Sequence, residues 1–176
     1  KFCVTICLDS TRRVWVGSAD GLYTFRNGHT EPFHAGDSLF RQNVTMVKCM
    51  PDGVVAVSTR GRGIIFIDGE NIYNIREADG LSTDLCGRLV VDGKVLWVCT
   101  NNGLNKITVL KKNNKLSFEV LCLKTEHGLP SNLIYDATRY QDLLIMSTGK
   151  GLSWLNVKQF ALNNYTPPVY IDAIYA

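Results

Sequence analysis

Two arginines, Arg60 and Arg62, flank a glycine in the segment Thr59-Arg60-Gly61-Arg62-Gly63. A guanidinium fork pairs with carboxylate or sulfate oxygens, two hydrogen bonds at a time. Lys150, in Thr148-Gly149-Lys150-Gly151, offers a third cation. Asn101 and Asn102, just before Gly103, offer amides that both donate and accept. Asp20 (after Ala19) and His127 complete a polar, hydrogen-bonding set. Such a set could bind a sugar, and its cations could pair with carboxylate or sulfate groups, but no residue pattern dictates that ligand class. The plain alternative is that Gly-rich turns are polar whatever the protein does. The Arg60–Arg62 segment stands out because it is one residue longer than its counterparts elsewhere in the chain. Regular patterns tend to break where function intrudes.

Other chemistries find little support. A glycosidase needs two carboxylates about 5–10 Å apart, one with a raised pKa. Asp9, Asp52 and Asp92 instead occupy turns, and turn geometry explains them. No Gly-x-Ser-x-Gly, phosphate loop or metal-ligand spacing occurs. His29, His34 and His127 are widely separated, and the cysteines form no Cys-x-x-Cys pair, so neither a metal nor a cofactor is expected. The six cysteines (Cys3, Cys7, Cys49, Cys86, Cys99 and Cys122) lie mostly in apolar runs. They read as buried free thiols rather than a disulfide framework. Cys3 and Cys7 share one face of a strand, but at ~3.3 Å per residue they stand roughly 13 Å apart, too far to bond to each other.

Composition sets the frame. The 176 residues are 45% hydrophobic, enough for a domain with a real core. Net charge is +3 and evenly spread, which argues against nucleic acid or a membrane surface as partner. No apolar run approaches the ~20 residues of a membrane span. No signal peptide opens the chain, and Phe2–Leu8 already reads as strand. Lys1 is therefore read as a cut boundary, and the sequence is silent about targeting.

The elements that must position the polar residues repeat. Val95–Leu104 is an apolar run, a short polar turn, then Gly-Leu opening a second run. The phrase recurs at Trp15–Leu22, Ala56–Ile64 and Ile145–Leu152, and its glycines, Gly21, Gly63, Gly103 and Gly151, are 42, 40 and 48 residues apart. A period near forty marks a stacked-repeat architecture. Each repeat opens on an apolar strand (Phe2–Leu8, Val44–Cys49, Cys86–Val91, Leu133–Thr138), then a tight turn such as Asp52-Gly53 or Asp92-Gly93. Asp-Gly between apolar runs is a hairpin signal. A second strand carries the phrase, a third follows Gly-Leu, and a weaker fourth lies outside, except in the last repeat, where it cannot be placed. Trp15 and Trp97 fall at the same repeat position inside a strand, so they read as packing core; Trp154 is offset from them.

Four antiparallel strands per ~40-residue unit, stacked radially, make a β-propeller. The expected fold is all-β, with blades at about 1–36, 37–78, 79–125 and 126–164, and a strand-like tail at 165–176. Turns between second and third strands and the linkers into each first strand share one face. That face gathers Asp20, Arg60, Arg62, Asn101, Asn102, Lys150 and His127.

The segment Gly128-Leu129-Pro130-Ser131-Asn132, the phrase Asp92–Leu104, and Val14-Trp15-Val16-Gly17-Ser18 with Gly21-Leu22 resemble the two-component regulator propeller repeat. The resemblance covers nearly the whole chain. Ala56 and Ile145 depart from it, standing where the pattern has an aromatic. It implies the periplasmic sensor part of a hybrid two-component histidine kinase in glycan-degrading bacteria, an oligosaccharide ligand and a homodimeric receptor. Kinase motifs are absent, so this chain is expected to be non-catalytic. Tyr165–Ile171 is similar to the junction into a following immunoglobulin-like domain. The resemblance also implies more blades than four. One way to close the ring is pairing of two four-blade copies, which a stable monomer in sedimentation would exclude. Two other functions are carried forward: a propeller serving only as a protein-interaction scaffold, and a propeller glycoside hydrolase or lyase.

Overall fold

The computed structural model describes residues 2–159. Among the described residues, fifteen strands form four antiparallel sheets, each a meander. Blade 1 comprises β1 (Cys3–Leu8), β2 (Val14–Ser18), β3 (Gly21–Arg26) and β4 (His29–Pro32). Blade 2 comprises β5 (Val44–Cys49), β6 (Val55–Thr59), β7 (Ile64–Asp68) and β8 (Asn71–Ile75). Blade 3 comprises β9 (Cys86–Asp92), β10 (Val95–Thr100), β11 (Gly103–Lys112) and β12 (Lys115–Leu123). Blade 4 has β13 (Ile134–Tyr140), β14 (Leu143–Thr148) and β15 (Gly151–Asn156). A fourth strand for blade 4, the tail and its proposed junction lie outside the described residues.

The first strands β1, β5, β9 and β13 touch one another in turn, so they form the inner edge of the stack. Apolar side chains fill the gaps between blades. Trp15, Leu22, Val47 and Ile65 pack between blades 1 and 2. Phe66, Leu89, Leu96 and Ile107 pack between blades 2 and 3, where Phe66 stacks on Phe118 with ring centroids 4.6 Å apart. Trp97, Leu104, Leu144 and Met146 pack between blades 3 and 4. The inner strands of the two middle blades, β5 and β9, bury apolar residues against neighbours on either side, which is why they read as strand rather than helix. The outermost faces of the stack are uncovered. Alternate residues Phe2, Ile6 and Leu8 of blade 1, and Leu152 and Trp154 of blade 4, are each more than 60% exposed. Four blades therefore form an open arc of a propeller, not a closed ring.

The repeated phrase has a physical explanation. In every blade a buried hydroxyl ends the second strand: Ser18, Thr59, Thr100 and Thr148. Each donates to the carbonyl of the following glycine, at 3.1, 2.9, 2.7 and 2.8 Å. Each also accepts from a turn N–H, that of Asp20, Arg62, Asn102 or Lys150. The hydroxyl is thus a clamp across the turn. At Gly63 (φ 68°) a Cβ would collide with the Ile75 carbonyl oxygen, and at Gly103 (φ 126°) it would lie 2.5 Å from that of Leu123. Glycine is required there by both conformation and close approach of the fourth strand's end.

The linkers are equally determined. The Asp84 carboxylate accepts from the Arg76 Nε at 3.0 Å and the Glu77 N–H at 2.9 Å. Its carbonyl accepts from Gly61 and Gly63, both at 3.0 Å. Asn132 acts likewise in the next linker: its side chain accepts from the Thr125 N–H at 2.7 Å and its carbonyl from Gly103 at 2.6 Å. In these two linkers the terminal Asp or Asn therefore ties the previous blade's outer strand to its exposed turn.

One reading of the cysteines is corrected. Cys7 and Cys49 are joined in a disulfide, with Cα atoms 6.4 Å apart. The 42-residue separation equals one repeat, so the two occupy matching positions on adjacent inner strands. The others are free: Cys3 is exposed, Cys86 and Cys99 are buried, and Cys122 is half-buried. Burial pushes the Cys86 and Cys99 thiols up to about 12, so both stay protonated and inert at neutral pH.

Candidate functional site

Each inner strand begins with a register shift against its partner. The shifts fall at Cys3/Thr5, Val44/Met46, Val98/Thr100 and Ile134/Asp136. An extra residue is therefore inserted at Val4, Thr45, near Gly87, and at Tyr135. A β-bulge re-aims the side chain it inserts. In blades 2, 3 and 4 the bulges at Thr45, Gly87 and Tyr135 all border one cavity of about 300 Å³. The turns after the second strands close it, through Arg60 of blade 2 and Asn101 of blade 3. Leu85, Cys86, Cys99 and Ile134 add apolar surface.

The walls are fixed by hydrogen bonds. Thr45 Oγ1 donates to the Cys86 carbonyl at 2.8 Å and shares a 2.8 Å bond with Ser58 Oγ. Ser58 Oγ also reaches the Gly87 carbonyl at 2.7 Å. The Arg60 N–H donates to the Asn43 carbonyl at 2.9 Å, and Arg60 pairs with Leu85 through an isolated bridge. The backbone of Arg60 is therefore held while its side chain is exposed. Tyr135 is 59% exposed, and its ring offers a flat apolar face at the rim. Gly87 is needed for closeness, since a Cβ there would come within 3.0 Å of the Cys99 carbonyl.

The polar residues anticipated from sequence are distributed unevenly. Arg60 and Asn101 line the cavity; Arg62, Asn102, Lys150, Asp20 and His127 do not. Asn102 donates from its amide to the Ser82 carbonyl at 2.7 Å, bracing the linker before blade 3. The Arg62 carbonyl accepts from Asn74 Nδ2 at 2.6 Å, which fixes the extended turn. Asp20 accepts from Ser18 Oγ and, at 3.1 Å, from the Tyr23 hydroxyl. His127 Nδ1 accepts from the Lys124 N–H at 3.1 Å and closes a 3₁₀ turn, Thr125–His127. Lys150 is exposed on the blade 4 turn. Trp15 and Trp97 are 2% and 1% exposed, in strand interiors. Trp15 Nε1 donates to Asp9 at 2.8 Å. Thr45, Gly87 and Tyr135 carry no signal of a site in the sequence. A bulge leaves no mark in composition, though all three fall just after the linker motif.

Among the described residues, no group of three or more His, Cys, Asp or Glu is placed to hold a metal ion. No helix among them is long and apolar enough to cross a membrane.

Repeated four-stranded blades with inner edges meeting around one cavity define a β-propeller, here an arc of it. No family model and no curated protein matches the sequence. Solved structures do share the fold. The extracellular domain of what is named a hybrid two-component system of B. thetaiotaomicron superposes with a TM-score of 0.70 at 20% identity. That match covers 94% of this chain and 24% of the other. A second extracellular domain from the same organism, likewise named for a hybrid two-component system, gives 0.66 at 21% identity, over 96% of this chain and 22% of that one. A computationally designed protein, Ika4, gives 0.63 at 11% identity, over 89% of this chain and 92% of its own. The chain thus spans about a quarter of the length of the two bacterial extracellular domains.

Proposed function

We propose that this chain belongs to the extracytoplasmic, ligand-sensing propeller of a dimeric two-component receptor, and that it binds an oligosaccharide end in the cavity bordered by Thr45, Gly87 and Tyr135. The observation that carries the reading is convergence. Bulges from three blades and turns from two meet at one cavity with a cation, an amide, a hydroxyl and an aromatic ring. About 300 Å³ is at the small end for small-molecule sites, which suits one end of a glycan chain. Arg60 and Asn101 supply hydrogen bonds to ring hydroxyls or a carboxylate, and Tyr135 stacks on the apolar face of a sugar ring. The fold shared with two extracellular domains named for hybrid two-component systems supports a sensing role outside the cytoplasm. The disulfide between Cys7 and Cys49 supports the same compartment, because such bonds persist where the environment is oxidising.

Calorimetric titration against an oligosaccharide panel tests the reading. Arg60→Ala is expected to weaken binding about tenfold or more, the scale of a lost charge-assisted hydrogen bond. Its melting temperature should be unchanged, since the side chain is exposed. No response to any glycan, together with a partner protein retained on a column, would favour the scaffold function instead.

A further inference from the structure

The far end of blade 1 carries a second concentration of positive charge. The β1–β2 and β3–β4 turns lie opposite the turn that precedes Gly21, at the other end of the sheet. There Arg12, Arg13 and Arg26 line a cleft of about 500 Å³, together with Phe25, Phe33 and Glu31. Three guanidiniums and one carboxylate leave a lining charge of +2.

These guanidiniums are differently placed from Lys111, Arg139 and Lys158 of the later blades. Lys111 pairs with Asp68 at 2.8 Å, Arg139 with Asp92 at 3.0 Å, and Lys158 with Asp142 at 3.0 Å. Among the described residues, Arg12, Arg13 and Arg26 make no such pair. The nearby carboxylate of Asp9 is committed elsewhere. It accepts from the Thr11 N–H at 2.9 Å, the Thr11 hydroxyl at 2.6 Å, the Arg13 N–H at 2.9 Å and the Trp15 indole at 2.8 Å. Burial pushes this carboxyl up, yet the bonds from Thr11, Trp15 and Arg13 outweigh it and hold the group below the usual carboxylate range. Asp9 thus organises the loop, and among the described residues no acceptor is fixed on the guanidinium N–H groups of Arg12, Arg13 and Arg26.

The loop is also specialised in its backbone. Arg12 has φ 63°, a left-handed conformation that Gly53 and Gly93 take in blades 2 and 3, and Gln141 in blade 4. Arginine is an uncommon residue for that conformation. Arg13 stands over the Trp15 ring, 5.5 Å from its centroid, which fixes its direction. Phe25 is 43% exposed and gives the cleft an apolar wall.

We infer that this cleft is an anion-binding site for the sulfate or carboxylate groups of an acidic oligosaccharide, separate from the cavity at Tyr135. Guanidinium forks match both oxyanions bidentately, and the phenylalanine wall accepts the apolar face of a sugar ring. The site does not depend on the function proposed above, because its residues come from blade 1 alone.

The test is titration of the 176-residue chain with a heparin-derived hexasaccharide, an oligogalacturonate of equal length, neutral maltohexaose and inorganic sulfate. The double variant Arg12→Gly/Arg26→Gln restores the glycine of blades 2 and 3 and removes two cations. Its circular dichroism and melting temperature should match the parent. One or both acidic oligosaccharides should bind, the tighter one identifying the anion, and added salt should weaken it. Affinity should fall about tenfold or more in the double variant and stay unchanged in Lys112→Ala, which removes an exposed cation of blade 3. Inorganic sulfate should compete weakly at the same site. Failure of both acidic probes to bind, equal binding by the folded double variant, or an equal loss of maltohexaose binding in the double variant would each overturn the assignment.

Discussion

Truncation of Trp97 to alanine is expected to cost roughly 3–5 kcal/mol, the range for removing a large aromatic from a packed core. Trp97 is 1% exposed and lies among Leu104, Leu144 and Met146, in the seam joining blades 3 and 4. The Lys106 ammonium stands 5.8 Å from its ring centroid. For a chain of this length each kcal/mol shifts the melting temperature by roughly 2–4 °C, so a fall of about 10 °C is expected. Trp97→Phe should behave differently. Among the described residues the Trp97 indole N–H has no hydrogen-bond partner, unlike that of Trp15. A buried unpaired donor costs about 1–3 kcal/mol, so phenylalanine loses some packing but removes that cost. Its melting temperature should fall by less than half as much. An unchanged midpoint in Trp97→Ala would contradict the packing described.

Loss of the Cys7–Cys49 disulfide is expected to lower stability by about 2–4 kcal/mol, because it frees a long loop in the unfolded chain. The bond staples the inner strands of blades 1 and 2, where β1 would otherwise be held chiefly by β2 and by contacts to β5. Cys49→Ser, or reduction of the parent protein, should lower the melting temperature by a similar amount. Alkylation in denaturant should label four of six cysteines before reduction and all six after it. Denaturant is needed because Cys86 and Cys99 are buried thiols held protonated. Six labelled cysteines without reduction would show that the bond is absent.

Much of the fold was legible in the chain. The spacing of Gly21, Gly63, Gly103 and Gly151, together with the buried hydroxyl before each turn, is a local pattern. Its cause is equally local: a clamp across one turn and a carbonyl that leaves no room for a side chain. The candidate site was legible only to a degree. Arg60 and Asn101 stand out because turns are visible as polar punctuation. Asn102, Asp20 and His127 look the same in sequence, yet their side chains are engaged in bracing turns and linkers. Whether an exposed-looking amide faces a ligand or a carbonyl depends on where a linker twenty residues away passes, which spacing cannot reveal. The cysteines mislead in the same way. Cys7 and Cys49 lie in ordinary apolar runs, and their matching repeat positions were the signal that could have paired them.

The sequence by itself determined the repeat, the strand order within each blade and the tryptophan core positions, because hydrogen-bonded meanders and their turns are built from neighbouring residues. Only the tertiary structure decided which side chains meet at the inner edge. Thr45, Gly87 and Tyr135 are some forty residues apart in the chain and border one cavity because a bulge turns each inner strand at the same point. Stacking sets that convergence, and stacking is a relation between blades that no single segment encodes.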